Sequence, residues 1–447
     1  MQREIVLNNT KYETKPVECW AKMKELRRWH FKHTWEVAAR GGTVFIGMPE
    51  GIQGFLAGLG DYAYPSYGPY FTRMIRDSQQ TIKVLEATEA RGHTRDMCSV
   101  MKGYIGQLYM GMATRAPQGY TIKPAFVIQT LNCHTMAQTG QLYSEYLGIP
   151  YLAIDMPHKS SPETLEYGTA QLLEAIEWME KITGKKYDDE KLIEGVKNEW
   201  KSARLWASIQ IMNQNIPAPY DLRMTWSLRM PLISMRERPE VVDYLKMLYD
   251  ETKYRVNNQI SARGMETMRL FFEGFPPYYY IQILKQPQEY GAIYIINENN
   301  LGHGLWKIQS DGTYQVGETL EERGIPIRNR EEAVRAEMAL YFDRGRSGTW
   351  YFPPSRHIEV VKRAKDWKCQ AGVIALDRGC HGYQVSIMER KMALQEAGFL
   401  VGTFEHSQAD PREFSEAQTV DRMEAFFDSL GLKKLASAGV ENEDAEE

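Results

Sequence analysis

The feature that most restricts this fold is an alternation that begins at residue 124. An apolar run at 125–129 reads as a strand, 135–147 as a helix, 151–154 as a second strand and 162–182 as a helix. Ser161 sits at the N-cap position of that last helix, Pro162 opens it and Gly184 follows its end, where the backbone chemistry of each residue favours it. Strands separated by helices of this length need crossovers, so the sheet they form is parallel and right-handed in its connections. The same grammar appears earlier, where 43–46 reads as a short buried strand that Pro49, Glu50 and Gly51 turn into a helix ending near Gly58 and Gly60. A loop at 61–70 and a long helix through Ile75, Val84 and Leu85 follow. It returns late in the chain: 292–296, 372–376 and 399–403 read as strands, and 385–396 and 413–430 as helices. Between these regions, 185–275 carries long charged amphipathic patterns and few strand signals. The expected architecture is therefore α/β. Its parts are an N-terminal helical extension (1–42), a first α/β domain (43–190), a helical region (191–285), a second α/β domain (286–432) and an acidic tail (433–447).

Composition narrows the functions such a chain can have. With 447 residues it is too long for one ordinary core. No stretch approaches the roughly 20 apolar residues of a membrane helix, and the N-terminus lacks the apolar segment of a secretory signal, so a cytoplasmic location and no membrane partner are expected. The net charge of -4 argues against a nucleic-acid partner held by phosphate attraction. Five cysteines, an odd and widely spaced set, do not make a disulfide framework.

Three of those cysteines share a context. Cys98 precedes an apolar helical run in MCSVMKGYIG, Cys133 follows the strand at 125–129, and Cys380 follows the strand at 372–376 in DRGCHGYQ. Sites in open α/β sheets gather where strands give way to helices, and helix N-termini favour anions such as a thiolate. Gly379 and Gly382 flank Cys380 and permit close backbone approach. No local C-x-x-C pair is present, so a joint site exists only if the fold assembles it. Spacing alone leaves two readings open, a metal site or buried small side chains; Cys19 and Cys369 fit the second. His134 and His381, each directly after a candidate ligand, are candidate proton donors, with an ordinary structural role as the alternative. Asp377, Arg378, Glu389 and Arg390 read as helix caps and surface pairs. The glycines of GIQGFLAGLG do not match a dinucleotide fingerprint, and no phosphate loop occurs.

The order of these segments resembles the 2-hydroxyacyl-CoA dehydratase and benzoyl-CoA reductase family. The resemblance runs over most of 40–432: Pro49-Glu50, Ala57-Gly58, Cys98-Ser99, Cys133 after a strand, Thr183-Gly184-Lys185, and Pro276-Pro277. The most specific segment is C-terminal, where Arg378-Gly379-Cys380, Met388-Glu389-Arg390, Arg412-Glu413-Phe414 and Gln418-Thr419 look like the larger cluster-bearing subunit of ATP-dependent class I benzoyl-CoA reductase. Two positions depart from the pattern, His381, where an acidic residue is common, and Met48 before Pro49-Glu50. The resemblance implies two Rossmann-like or flavodoxin-like domains and a 4Fe-4S cluster held by Cys98, Cys133 and Cys380, its fourth position open or filled by a non-cysteine ligand. It further implies a related smaller cluster-bearing subunit, an ATP-hydrolysing iron-sulfur activator that binds the ATP this chain does not, and an acyl-CoA substrate. The implied reaction is reductive dearomatisation of an aromatic acyl-CoA; a 2-hydroxyacyl-CoA dehydratase subunit and a non-catalytic structural subunit are the alternatives.

Overall fold

The computed structural model describes residues 7–64, 77–157, 159–309, 313–344 and 356–435. Helix α1 (Trp20–Ala39) leads into strand β1 (Thr43–Val44), the short helix α2 (Gln53–Leu56) and strand β2 (Tyr62–Ala63). Helices α3 (Ser78–Glu89) and α4 (Ser99–Tyr109) precede β3 (Val127–Thr130), α5 (His134–Leu147) and β4 (Tyr151–Ile154). β1 pairs with β2, and β3 with β4, all parallel. An Ile46–Val127 bridge joins the two pairs, with Ile46 N–H donating to the Phe126 carbonyl at 3.0 Å and Ile128 N–H to that of Ile46 at 2.9 Å. The order across this first sheet is thus β2-β1-β3-β4.

A helical section follows: α6 (Pro162–Thr183), α7 (Asp189–Met212), α8 (Leu222–Leu228), α9 (Met230–Met235) and α10 (Pro239–Asn257). Ser161 closes a capping box with Thr164, and Gly184 takes the left-handed C-cap at φ 65°, as the sequence chemistry dictates. Strands β5 (Arg269–Glu273) and β6 (Ile293–Ile296), the short helix α11 (Glu298–Leu301) and an antiparallel hairpin of β7 (Trp306–Ile308) and β8 (Tyr314–Val316) come next. Then come α12 (Arg330–Asp343), α13 (Arg356–Asp366), β9 (Ala371–Asp377), α14 (His381–Gln384), α15 (Ile387–Glu396), β10 (Leu400–His406) and α16 (Glu416–Ser429). The second sheet is wholly parallel, in the order β6-β5-β9-β10.

The chain is therefore α/β, with two parallel sheets of one and the same strand order: second, first, third, fourth. The likeness extends to single residues. Gly47 ends the first strand of one half and Gly274 that of the other, each followed by a residue and then proline. Both have positive φ, 135° and 91°, and a Cβ on either would strike the carbonyl oxygen of the neighbouring third strand, Ile128 or Ala375 respectively. Five residues beyond those two carbonyls stand Cys133 and Cys380.

Differences from the sequence reading have physical causes. β5, the strand on which the second sheet is built, falls inside the region expected to be helical, 191–285. Its charged ends mask it: Arg269 pairs with Glu266, and Glu273 with Arg363 at 2.8 Å, so both are buried among partners rather than solvated. β2 falls within the expected loop at 61–70, of which 65–70 lies outside the described residues, as do Ile75 and tail residues 436–447. α12, inside the expected second domain, packs its Val334, Met338 and Leu340 into the core of the first half with Phe45, Ile128 and Leu172.

Candidate active site

In each half the site-forming loops leave the carboxyl ends of the first and third strands, which carry the chain to opposite sides of the sheet; such divergence opens a crevice. Cys133 is the N-cap of α5, Cys380 of α14 and Cys98 of α4. Cys133 Sγ accepts from Met136 N–H, in the first turn of its own helix, at 3.3 Å, whereas the Cys98 and Cys380 side chains make no such cap bond. All three thiols nonetheless stand at helix N-termini, where partial positive charge gathers.

The fold brings these three thiols together. Cys98 and Cys133 lie in one packed cluster with Met48, Met97, Tyr278 and Tyr279. Gly379, beside Cys380, comes so near the Cys98 loop that a Cβ there would sit 2.9 Å from the Met97 oxygen and 3.1 Å from Cys98 Cα. Charge on any of the three is felt by another: Cys380 is influenced by Asp377, Cys98 and Cys133, and Cys98 by Asp377 and Cys133. Burial dominates their titration, pushing Cys98 up to about 12 and raising Cys133 and Cys380 as well. Burial thus favours the neutral thiol at each position, and a bound metal ion would favour the thiolate. Among the described residues no group of three His, Cys, Asp or Glu side chains has the spacing for one metal ion.

The contact between halves is locked beneath Cys98. Ser99 Oγ accepts from Ala409 N–H at 3.0 Å and bonds Ser407 Oγ at 2.8 Å. One α4 helical turn on, the fully buried Lys102 donates to Glu89 (2.8 Å), to the Arg95 carbonyl (2.9 Å) and to Asp410 (3.3 Å), and Arg412 binds Glu89 and Asp410 from the other side.

Other expected residues fall out differently. His134 and His381 are exposed first residues of their helices, and their side chains make no hydrogen bond among the described residues. Arg378 is an exposed partner of Glu405 and Glu413. Asp377 is buried, accepts from Gly379 N–H at 3.1 Å, and is raised by desolvation to about 7. Arg390 is no surface residue: it is fully buried, holds Glu298 at 3.1 Å and donates to the Tyr383 carbonyl, fixing the turn that carries Cys380. Cys19 and Cys369 are buried in separate cores away from these loops.

Sequence reasoning missed the inner wall. Glu50, in the loop after β1, is felt by Cys133; desolvation raises its carboxyl, against the pull of Arg236, Arg344 and Arg229. Arg229, between α8 and α9, is lowered by burial to about 10 and faces Tyr278, Tyr383 and Glu50. Tyr278 in turn feels Cys380, Asp377 and Cys98. The sequence marks Glu50 only as part of the Pro49-Glu50 element, without a role, and no sequence motif marks Arg229.

The model of the family described as 2-hydroxyglutaryl-CoA dehydratase, D-component, matches residues 72–430, a span that includes all three cysteines. The chain is 27% identical over 359 residues to the (R)-phenyllactyl-CoA dehydratase alpha subunit of Clostridium sporogenes, covering 78% of this chain and 81% of that protein. It is 23% identical to the (R)-2-hydroxyisocaproyl-CoA dehydratase alpha subunit of Clostridioides difficile (80% and 83%). A benzoyl-CoA reductase subunit of Thauera aromatica is 22% identical (79% and 81%). No helix among the described residues is long and apolar enough to cross a membrane.

Proposed function

We propose, on the premise that this chain belongs to the 2-hydroxyglutaryl-CoA dehydratase D-component family, that it is an iron-sulfur subunit of a 2-hydroxyacyl-CoA dehydratase. The observation that carries the reading is the convergence of Cys98, Cys133 and Cys380 on three helix N-termini. The reductase reading favoured by the C-terminal motif takes second place, because the dehydratase relatives stand at higher identity.

The donor set fits a 4Fe-4S group. Thiolates suit iron and sulfur, and a polynuclear group attaches each sulfur to a different iron. Three cysteines leave one iron for a non-cysteine ligand. Bound there, the group supplies a Lewis-acidic iron for a thioester carbonyl and low-potential electron chemistry. The reaction removes the hydroxyl from C2 and a proton from C3 of the acyl chain, giving an enoyl-CoA and water with no net redox change.

This chain's own residues then have defined tasks. The Met136 N–H bonded to Cys133 and the helix N-termini beside Cys98 and Cys380 stabilise negative charge on sulfur. Met48, Met97 and Tyr278 exclude water, since desolvation strengthens every electrostatic interaction inside. Glu50, whose carboxyl is raised by burial beside Cys133, accepts and returns a proton. A related partner subunit and an ATP-hydrolysing activator complete the enzyme, in line with relatives that are themselves named as subunits.

The test uses the complex purified without oxygen, with its activator, ATP and a reductant, offered a 2-hydroxyacyl-CoA and benzoyl-CoA in parallel. Enoyl-CoA from the first is expected. A cyclic dienoyl-CoA from the second, with the hydroxyacyl thioester untouched, restores the reductase reading. An iron-free, colourless complex removes both.

A further inference from the structure

Buried carboxylates in this protein have a cation almost throughout: Glu298 meets Arg356, and Asp221 meets Arg263. Glu337, in α12, is different. It is 0% exposed and forms no ion pair among the described residues, and its Oε2 is sealed from solvent without a hydrogen-bond donor. Glu237, Glu273 and Asp366 also have one sealed, unbonded oxygen, but each of those carboxylates has a cation, in Arg238, Arg363 or Lys362.

What stands beside Glu337 is a second carboxylate. Consecutive backbone N–H groups of α2 divide between the two: Gly54 N–H donates to Glu199 Oε2, and Phe55 N–H to Glu337 Oε1 at 3.3 Å. A Cβ on Gly54 would come within 2.6 Å of Glu337 Oε2, so that unbonded oxygen lies against the same residue that Glu199 binds. Two carboxylates that share a site away from water do not both ionise. One proton removes both difficulties, because it turns the unbonded oxygen into a donor and leaves a single charge on the pair. Burial and the neighbouring Glu199 both raise the Glu337 carboxyl.

The other ionisable groups around the pair come from several elements. Arg344, at the end of α12, lies 2.5 Å from Glu199, and Arg236, after α9, 3.7 Å from it. Tyr187, before α7, feels Glu337, while Glu237 and Tyr64 feel Glu199. α2 has no ionisable side chain, and Glu166 of α6 is taken at the surface by Arg335. Glu50 is pulled by the same Arg236 and Arg344. The pair also grips the chain next to Glu50: Arg344 Nη2 donates both to Glu199 Oε1 and to the Gly51 carbonyl, the latter at 2.8 Å.

We propose that Glu337 is held as a carboxylic acid that donates its proton to Glu199, and that this acid–carboxylate pair positions the loop carrying Glu50. Only the task of Glu50 rests on the function proposed above; the shared proton does not.

α2 can leave the pair only by exposing two ordinary carboxyls, which release the proton at neutral pH. The closed state therefore has its full advantage below the ordinary carboxyl pKa of about 4.3 and loses it as pH rises towards the raised value in the pair. Gly54 and Phe55 report this directly, since theirs are the N–H groups bound. The complex, purified without oxygen, is followed by hydrogen exchange and mass spectrometry from about pH 6 to about pH 8. After correction for intrinsic exchange, opening of the segment around Gly54 and Phe55 should increase roughly tenfold per pH unit relative to α10. Glu337→Gln, whose amide supplies a neutral donor, should keep the protection of the lower pH and lose the slope. Glu199→Gln, which removes the like charge, should lose the slope as well. A flat wild-type profile overturns the proposal, and so does a slope that survives in either variant. Should Glu337→Gln not assemble, the wild-type and Glu199→Gln profiles decide by the same criteria. Any of these results leaves the acyl-CoA reading standing, because no substrate enters the measurement.

Discussion

Gly379→Ala isolates the contact that holds Cys98 beside Cys380. The glycine does not have a positive φ, so alanine meets no backbone penalty, and its N–H bond to Asp377 is kept. What the methyl group meets is backbone: the Met97 oxygen at 2.9 Å, Cys98 Cα at 3.1 Å and Cys98 N at 3.3 Å. Ordinary contact begins near 3.4 Å, so the two loops must part by about 0.5 Å. Neither loop yields easily, since Ser99 is tied to Ser407 and Ala409, and Cys380 is followed by a turn that Arg390 grips. Overpacking of this kind costs about 1–3 kcal/mol, offset by about 0.4–1 kcal/mol from the stiffer unfolded chain. The expected net loss is therefore about 1–2 kcal/mol, read as a lower urea midpoint by tryptophan fluorescence. Because the displacement falls on the separation of two proposed ligands, iron should also be stripped by a chelator roughly 10-fold more readily. An alanine variant with the wild-type midpoint and wild-type iron retention would show that the two loops are not in contact as described, and the proposed site would fall with that contact.

Two further results are expected. Alanine at Cys98, Cys133 or Cys380 should each abolish most of the iron and acid-labile sulfide of anoxically prepared protein, whereas Cys19→Ala and Cys369→Ala should leave both near wild-type; loss of iron in the second pair, or retention in the first, refutes the ligand assignment. Lys102→Met leaves Asp410 and Glu89 with only Arg412, and should destabilise by about 3 kcal/mol. Adding Asp410→Asn should cost less than the sum of the single changes, and strict additivity in urea unfolding would mean that the pair is not coupled.

Much of the fold was legible because apolar runs framed by helices leave a simple trace, whether buried on both faces, as β3 and β9 are, or partly exposed, as β4 and β10 are. β3, β4, β9 and β10 are short runs between helices, and α6 announces both its ends through Ser161, Pro162 and Gly184. β5 was hidden because Arg269 and Glu273 look solvated until their partners are known, and those partners come from Glu266 and, in α13 and α15, from Arg363 and Arg390. The cysteines after strands were visible by position. Arg229 was not, because Glu50, Tyr278 and Tyr383, the groups it faces, come from distant parts of the chain and meet it only in space. The equal strand order of the halves was hinted at by two cysteine loops, but the matched Gly47 and Gly274 needed the neighbouring carbonyls to be seen.

The repeated strand order also says where this chain can change length. Cys133 and Cys380 hang from third strands that pair directly with first strands, so the sulfurs are placed by the sheet and not by whatever lies between. In the second half that intervening stretch already holds the β7–β8 hairpin, α12 and α13, a large detour that nonetheless leaves Cys380 in the register Cys133 occupies. Length can change there at the exposed hairpin without moving either sulfur, because each stays anchored five residues past a carbonyl of its third strand.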